Sequence, residues 1–413
     1  MKHPLLAALG GLLFAAASVT AAPQRIERLT LERALEIAER RHPQLAEARA
    51  LVDAAGGRAR QAGALPNPEA ILGAQQIPAR DYPVPDRQYL AGFGQTIPLG
   101  DRLGRAREVE LLEREVRLRG LESVRRRIRQ RVQGRFATAL HQESAHDAQA
   151  RIVSATSLSL SVVKARLDAG DAIPQDVAQA EIALALAEVD LRRIETLRKQ
   201  GLTTLSTEIG EPELEVVSVE GTLDAAFEIP TLESLATGIS ALPEIRAAEA
   251  TAQAGRMRVE LAEAERIPDV KLEALYHRLE ISGQNTVDFG LSFPLPLLNR
   301  NQGRIQEARA DAAAAAARAR DLANGMNLDL RTSHLSLTRA LEALKTHRTR
   351  ILPRAETVLK AAELRHSAGD SALTEVLDAR RHWAAVHLAY LEVLREAMQS
   401  WAEVSTFVGP KGR

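Results

Sequence analysis

The feature that most limits how this chain can fold is an internal repeat, in which the second half follows the pattern of the first. Each half contains a short helix, a helix that begins with proline, two strand-like segments, a very long helix, a turn and a returning helix. The matching segments include Thr30-Leu31-Glu32 with Thr231-Leu232-Glu233, Pro43 with Pro243, Phe93-Gly94 with Phe289-Gly290, and Gly104-Arg105 with Gly303-Arg304. Such a repeat predicts one structural unit used twice, with the two copies packed together.

Each unit contains a predicted hairpin tip, where one long helix ends and the next begins. The first tip is Ala169-Gly170-Asp171 and the second tip is Ala368-Gly369-Asp370, displaced by 369 − 170 = 199 positions. Glycine can adopt the left-handed conformation that ends a helix. Asp370 or Ser371 is expected to cap the following helix, and Pro174 is expected in the first turn after the first tip. The sequence therefore predicts two tight turns, each joining antiparallel helices.

The strand-like segments alternate between apolar and polar or small residues with a period of two. In the second unit, Val287, Phe289 and Leu291 alternate with Asp288 and Gly290. Each segment is about ten residues long, the length of a tilted strand that crosses a bilayer. The alternative is a pair of surface hairpins in a soluble protein, each with one face against a core.

Four strands in one chain are too few to cross a membrane alone. An open sheet in lipid leaves the backbone groups at its edges unsatisfied, so closure requires several chains. Two chains would give eight strands and a filled interior, whereas three would give twelve strands and a channel.

The long helices are predicted to stand in water on one side of the strands. The helix from Arg105 to Leu167 would extend on the order of 90–100 Å at 1.5 Å per residue. From Ile305 to Met326, apolar and alanine residues recur at heptad spacing, which is typical of packed helices. Pro353 lies inside the second long helix, where we expect a kink rather than an end.

Composition and charge exclude several classes of function. Lysine plus arginine and aspartate plus glutamate each number 54, so the charge balance gives no support for a nucleic-acid partner. The chain has no cysteine, which excludes disulfides, thiolate zinc sites and a cysteine nucleophile. The arginine-rich segment 125–131 would spread around a helix, and we interpret it as a solvated surface.

Motifs for catalysis or for a cofactor are not found. The sequence contains no G-x-S-x-G, no Walker loop and no H-E-x-x-H. The pairs His141/His146 and His382/His387 are five positions apart, whereas two ligands on one helix face need a spacing of four. We therefore expect no enzyme, no cofactor and no metal site.

The sequence divides into a predicted leader and two repeats. Residues 1–22, with a basic start, an apolar run and Val19-Thr20-Ala21 as a cleavage site, predict a secretory signal peptide; a buried N-terminal helix is the alternative. The first repeat is predicted at 23–210, with strands about 68–77 and 88–98 and a helical hairpin about 102–208 with its tip near 170. A linker at 211–230 precedes the second repeat at 231–408, with strands about 268–279 and 285–296, a hairpin about 301–404 with its tip near 369, and a tail at 409–413.

These features resemble the TolC-like outer-membrane efflux protein family, and the likeness covers essentially all of the chain after the predicted signal peptide. Besides the duplicated unit, the motifs are Leu65-Pro-Asn-Pro-Glu69, Thr96-Ile-Pro-Leu99, Phe293-Pro-Leu-Pro-Leu-Leu-Asn-Arg-Asn-Gln-Gly303 and Ala368-Gly-Asp-x-x-x-x-Glu-Val-Leu-Asp-Ala379. The stretch from Pro294 to Gly303 is similar to the CzcC-like heavy-metal branch, which works with RND-type pumps.

The resemblance implies a mainly α fold with a membrane β-barrel portion, in which a homotrimer forms a twelve-stranded barrel in outer-membrane lipid and a periplasmic α-helical tunnel. It implies an inner-membrane RND-type pump and a periplasmic adaptor (membrane fusion) protein as partners, with the adaptor docking on the tip residues Ala169, Gly170, Asp171, Ala368, Gly369 and Asp370. It also implies an acidic ring at the tunnel mouth, formed by Glu375 and Asp378. The alternative for these two carboxylates is a role in the first turns of a helix. His366 and Ser371 flank the second tip, in place of the tyrosine and arginine that lock the mouth in some members.

The predicted function is an outer-membrane channel component of a tripartite efflux system. By the branch resemblance, it passes heavy-metal cations from the periplasm or the inner-membrane pump to the exterior. Two alternatives stay open: a TolC-like duct for drugs or for type I protein secretion and, more remotely, a periplasmic coiled-coil scaffold.

Overall fold

A computed structural model describes residues 25–77, 87–223 and 230–408 of the chain. The predicted signal peptide and tail, and the loop at 78–86, lie outside the described residues. The α-helices are α1 (Leu31–Arg41), α2 (Pro43–Ala62), α3 (Arg102–Asp168), α4 (Pro174–Glu208), α5 (Leu232–Gly238), α6 (Pro243–Ala264), α7 (Gln302–Thr346), α8 (Leu352–Ser367) and α9 (Leu373–Ser405). The strands are β1 (Arg25–Leu29), β2 (Glu69–Gln75), β3 (Gln88–Ile97), β4 (Glu215–Val219), β5 (Val270–Leu279) and β6 (Asn285–Ser292).

The first helices of the two units begin at equivalent residues. The Thr30 hydroxyl accepts a hydrogen bond from the Arg33 N–H at 3.3 Å. The Thr231 hydroxyl accepts one from the Ser234 N–H, also at 3.3 Å. These side chains satisfy donors that the start of a helix leaves free. Both α2 and α6 begin with proline, whose missing N–H is not needed in the first turn.

Long antiparallel helices form the body of the protein. Helix α3 has 67 residues, which corresponds to about 100 Å at 1.5 Å per residue. Between α7 and α8 the chain makes a π-helical turn at His347–Ile351, so the helix continues through Pro353 instead of ending there, as predicted. The alanine seam of α7 packs closely on α6, since a Cβ added to Gly255 would lie 3.1 Å from the Ala312 Cα.

The four predicted strands form one antiparallel sheet in the order β2-β3-β5-β6, so the two repeats join at the β3–β5 pair. The register places Phe93 opposite Ala274, and Ala274 opposite Phe289, which gathers the apolar side chains on one face. Phe93 and Phe289 are largely exposed there. The opposite face carries most of the charged and small residues, together with Ile71, Leu90 and Leu275, and is called the polar face below. Strand β6 ends at Ser292 rather than near 296, because Pro294 cannot donate a ladder hydrogen bond.

A second, two-stranded sheet was not predicted from the sequence. Strands β1 and β4 pair in parallel, with Arg25 opposite Glu215 and Leu29 opposite Val219. Strand β4 lies within the segment predicted as the linker 211–230. Leu29 and Val219 are buried in the main hydrophobic core, so this segment is anchored to the start of the described chain.

The hydrophobic core lies in the middle of the helical body. Its largest cluster joins α3, α4 and α9 around Phe136, Leu205 and Leu394. A second cluster packs α5, α7 and the end of the described chain around Leu337 and Val404. None of the helices in the described ranges combines the length and apolarity needed to cross a bilayer. The mainly helical fold with four antiparallel strands per chain confirms the predicted fold class.

Candidate functional site: the hairpin tips

The backbones of the two tips have the same conformation. Gly170 and Gly369 both have φ of +84°, which is the left-handed region that favours glycine. The Gly170 N–H donates to the Leu167 carbonyl at 3.0 Å, and the Gly369 N–H donates to the His366 carbonyl at 3.0 Å. A Cβ added to either glycine would meet nothing within 4 Å, so both tips project freely from the protomer.

Equivalent arginines brace the two tips. The Arg166 guanidinium donates to the Asp171 carbonyl at 3.4 Å, and the Arg365 guanidinium donates to the Asp370 carbonyl at 3.3 Å. The sequence analysis gave neither arginine a role. Their equivalent positions in the repeat are the signal that could have identified them.

The helices that follow the tips begin differently from the prediction. The residue before α9 is Ala372, with no side-chain cap, so neither Asp370 nor Ser371 caps α9 as expected. The turn places both side chains before that position. After the first tip, α4 begins at Pro174 as predicted, and the Asp176 carboxylate accepts a hydrogen bond from the Ile173 N–H at 3.3 Å.

His366 connects the second tip to the first. Its Nδ1 lies 2.8 Å from the Ser371 carbonyl, and its Nε2 lies 3.2 Å from an Arg166 guanidinium nitrogen. The carbonyl can only accept and the guanidinium can only donate, so the arrangement fits a neutral imidazole with the proton on Nδ1. Because Arg166 and His366 are 200 positions apart, no local sequence pattern predicted this contact.

Arg380 on α9 bridges the two hairpins. Its Nε and Nη2 donate to one Glu363 carboxylate oxygen on α8, at 3.1 and 2.8 Å. Its Nη1 donates to the Ala155 carbonyl of α3 at 3.3 Å and contacts the Ser159 hydroxyl. Beside it, Leu377 belongs to a small apolar cluster that holds α3, α4 and α9 together beneath the tips. The sequence gave no signal for this bridge.

The two predicted acidic residues lie on the first turns of α9. The Glu375 carboxylate is 3.3 Å from the Arg365 guanidinium, and the Asp378 carboxylate pairs with Arg381. All four side chains are at least half exposed. Each carboxylate therefore faces water but has a cation beside it, and Glu375 also occupies the favourable first turn of a helix.

Partly buried histidines of the helical body have a packing role. Burial lowers the pKa of His141, although the Glu392 carboxylate 3.4 Å away favours the charged form. Burial also lowers the pKa of His387, whose ring stacks on Trp383 at 5.2 Å between centroids. In the part of the chain that the structure describes, no three histidine or carboxylate side chains converge on a site for a metal ion.

The junction between strand and helix explains the most distinctive sequence motif. Asn301 adopts φ of +60° just before α7, as Asp101 does with φ of +58° just before α3. Its side-chain amide donates to the Ala262 carbonyl at 2.8 Å and contacts Glu265 at 3.2 Å. The motif around Asn301 therefore fixes the angle at which the sheet passes into the helices.

The family model described as outer membrane efflux protein matches residues 34–211 and 239–410. The chain belongs to the outer membrane efflux protein family. The match covers both repeats.

Individual relatives agree with the family match. The chain is 27% identical to the cobalt-zinc-cadmium resistance protein CzcC of Cupriavidus metallidurans, over 92% of this chain and 90% of that protein. Its fold is similar to the structure of CusC, with a TM-score of 0.80, 14% identity and 92% of each chain covered. It is also similar to the open state of the MtrE outer membrane channel of Neisseria gonorrhoeae, with a TM-score of 0.78, 18% identity, and 91% and 88% covered.

Family membership confirms the predicted location and general role. The protein is an outer-membrane efflux channel protein whose helices form a periplasmic body. The family is one of channels and not of enzymes. Outer membrane efflux proteins of tripartite systems form trimers and work with an adaptor and an RND pump.

Proposed function

We propose that three copies of this chain form one continuous duct, and that the duct exports heavy-metal cations delivered by an RND-type pump through a periplasmic adaptor. The chain itself performs no chemistry, and the inner-membrane partner supplies the energy. The observation that carries the proposal is the open four-stranded sheet with an exposed apolar face.

The edges of this sheet support a trimer. In the described residues, β2 and β6 each pair on one side only. An unsatisfied backbone group in lipid costs several kcal/mol, so these edges require partners. Pairing β6 of one copy with β2 of the next satisfies both edges, and three copies of four strands give a barrel wide enough for a channel.

Exposed apolar faces on the helices support the same assembly. Ile182, Leu186 and Val189 form a stripe along α4, and each is more than half exposed. Leu328 and Leu335 are similarly exposed on α7. Apolar surface of this extent marks an interaction site. In the trimer, these faces are covered by neighbouring copies.

The tips provide the docking surface for the adaptor. Both glycines have open space around them, and the apolar side chain of Ile173 projects beside the first tip. The tip residues Ala169, Gly170 and Asp171, with their counterparts in the second repeat, lie farthest from the sheet along the hairpins. A partner that approaches from the inner membrane therefore meets them first.

The likeness to CzcC supports heavy-metal cations as the substrate. Three copies of Glu375 and of Asp378 would place six carboxylates around the mouth of the duct. Negative charge in a narrow opening raises the local concentration of cations. Arg365 and Arg381 neutralise part of this charge, so the ring favours cations without binding them tightly.

Two other functions remain as alternatives to metal export. A duct for drugs or secreted proteins would have the same sheet and the same tips. A periplasmic scaffold would have to expose Phe289 and Leu291 to water, which the apolar face of the sheet disfavours.

Deletion of the gene followed by challenge with zinc, cobalt, copper, silver and organic toxicants tests the substrate. We expect the deletion strain to lose metal tolerance, the wild-type gene to restore it, and an E375Q/D378N variant to restore less. The control variant E356Q removes an exposed carboxylate of α8 that pairs with Lys360, and it should restore fully. If the deletion strain becomes sensitive to organic toxicants alone, the proposed substrate is wrong and the duct exports drugs. If cross-linking in intact cells captures only monomers, the proposed trimer is wrong.

A further inference from the structure

The polar face of the four-stranded sheet holds a histidine and an aspartate in direct contact. His277 lies on β5, opposite Leu90 of β3 and Thr286 of β6. Asp288 lies two residues further along β6, on the same face. The His277 Nε2 is 3.2 Å from the Asp288 Oδ2. These two side chains come from adjacent strands and point to the face opposite the exposed apolar residues.

The imidazole of this pair is unusually enclosed for a polar group. His277 is 8% exposed. In the described structure its Nε2 is buried without a hydrogen-bond partner, because the contact with Asp288 lacks the alignment of a hydrogen bond. A desolvated ring nitrogen without a partner is unfavourable and calls for an explanation, such as a bound ion. The Asp288 side chain is 63% exposed, so a ligand can reach its carboxylate from solvent.

The position of the pair matters for transport. In a barrel that presents Phe289 to lipid, the polar face lines the interior. At the other end of β5, Lys271 is bound by Glu69 at 2.9 Å and by Glu273 at 3.0 Å, so those carboxylates are already occupied. His277 lies six residues beyond Lys271, roughly 20 Å farther along the strand at 3.3 Å per residue. Strand β5 ends at Leu279, so the pair lies close to the turn that joins β5 to β6.

The separation of the two atoms fits coordination of one metal ion. Imidazole nitrogens and carboxylate oxygens bind zinc at about 2.0–2.2 Å, so at coordination angles of about 90–109° two such ligands lie roughly 2.8–3.6 Å apart. The observed 3.2 Å falls within this range. Imidazole with carboxylate suits divalent transition metals such as Zn²⁺ and Co²⁺.

We propose that His277 and Asp288 form a weak divalent transition-metal site in the wall of the duct. Two protein ligands leave the remaining coordination positions to water, so the ion binds and leaves readily, as conduction requires. The inference that exported cations use this site rests on the proposed function. The inference that the site binds a metal ion does not depend on it.

Titration of purified full-length protein in detergent with Co²⁺ tests the site, because inner-sphere nitrogen and oxygen ligands change the visible absorption of this ion. We expect one saturable Co²⁺ per chain that Zn²⁺ displaces. Both H277Q and D288N should weaken Co²⁺ binding by about tenfold or more. Loss of a residue that only orients a metal ligand already lowers metal affinity by about tenfold, and loss of a ligand itself should cost at least as much. Size-exclusion chromatography of each variant shows whether it still assembles, and D288N changes a largely exposed side chain.

The matched control is a second histidine–aspartate pair on α3. The His146 Nδ1 lies 3.6 Å from the Asp147 Oδ1, and Asp147 is 62% exposed, similar to Asp288. H146Q should bind Co²⁺ as the wild type does. Wild-type affinity in assembled H277Q or D288N, or an equal loss in H146Q, would overturn the site. If Co²⁺ binds at His277 but gene deletion leaves metal tolerance unchanged, the site stands and the proposed substrate is wrong.

Discussion

Arg380 contacts the helices on both sides of α9, and its replacement by alanine is expected to let the second hairpin separate from the first near the tips. The guanidinium joins Glu363 of α8 to the Ala155 carbonyl and the Ser159 hydroxyl of α3. Alanine removes all of these hydrogen bonds. It leaves the apolar cluster around Leu377 in place, so the change acts on the bridge alone.

The magnitude follows from the number and exposure of the contacts. A hydrogen bond to a charged group contributes about 1.5–3 kcal/mol. Because the Arg380 side chain is 27% exposed, we discount each of its two contacts with α3 to about 1 kcal/mol, so together they contribute about 2 kcal/mol. Losing them should raise the population of the separated tips roughly 30-fold.

The matched control is R381A, which removes the same charge from the next residue. The Arg381 side chain is 70% exposed, and its ion pair among the described residues is with Asp378, one helical turn away. An exposed pair of this kind contributes about 0.3–0.5 kcal/mol, which corresponds to about a twofold change in population.

Hydrogen exchange of purified protein measures the effect directly. Amides in the last turns of α3 and the first turns of α9 should exchange roughly 30-fold faster in R380A and about twofold faster in R381A. Conductance through single channels in planar bilayers should rise in R380A, because separated tips would widen the mouth of the proposed duct. Exchange in R380A equal to that in R381A would show that the bridge does not hold the tips together.

Three further predictions concern stability and assembly. Burial lowers the pKa of His141 below its ordinary value of 6.5. Its contribution to stability is therefore complete above pH 6.5 and is lost as the pH falls from there through the lower pKa of the folded state. The thermal unfolding midpoint should fall less on acidification in H141Q than in the wild type. The variant G369A forces a Cβ into a left-handed backbone and should destabilise the tip by about 1–2 kcal/mol, whereas G325A, in open space on α7, should stabilise by about 0.5–1 kcal/mol; equal denaturation midpoints would contradict this. A lipid-facing F289R costs about 2–4 kcal/mol in a membrane strand and should abolish assembled trimer in outer-membrane fractions, whereas T286R on the polar face should assemble; loss of both would contradict the assignment of the faces.

Much of the fold could be predicted from the sequence because its signals are local. Thr30 and Thr231 cap helices at equivalent positions, and Gly170 and Gly369 supply positive φ at equivalent tips. The alternation of Phe289 with Asp288 marks a strand through its period alone. Each of these signals depends on residues within a few positions of one another.

Other elements could not be predicted, since their partners lie far away in the chain. Strand β1 pairs with β4 and has five residues. A segment this short does not show a recognisable alternating pattern. The helix cap expected at Asp370 or Ser371 was wrong because the turn extends to Ala372. The roles of the tip residues, of Glu375 and of Asp378 stay predictions until the proposed experiments are made.

The sequence by itself determined the repeated unit, the two tips, the two-faced strands and the family to which they belong, because backbone conformation and side-chain periodicity depend on neighbouring residues. Only the tertiary structure decided that Arg166 meets His366, that Arg380 reaches α3, and that His277 meets Asp288. Contacts of this kind depend on helix packing and strand register, which arise from the sum of many weak interactions along the whole chain.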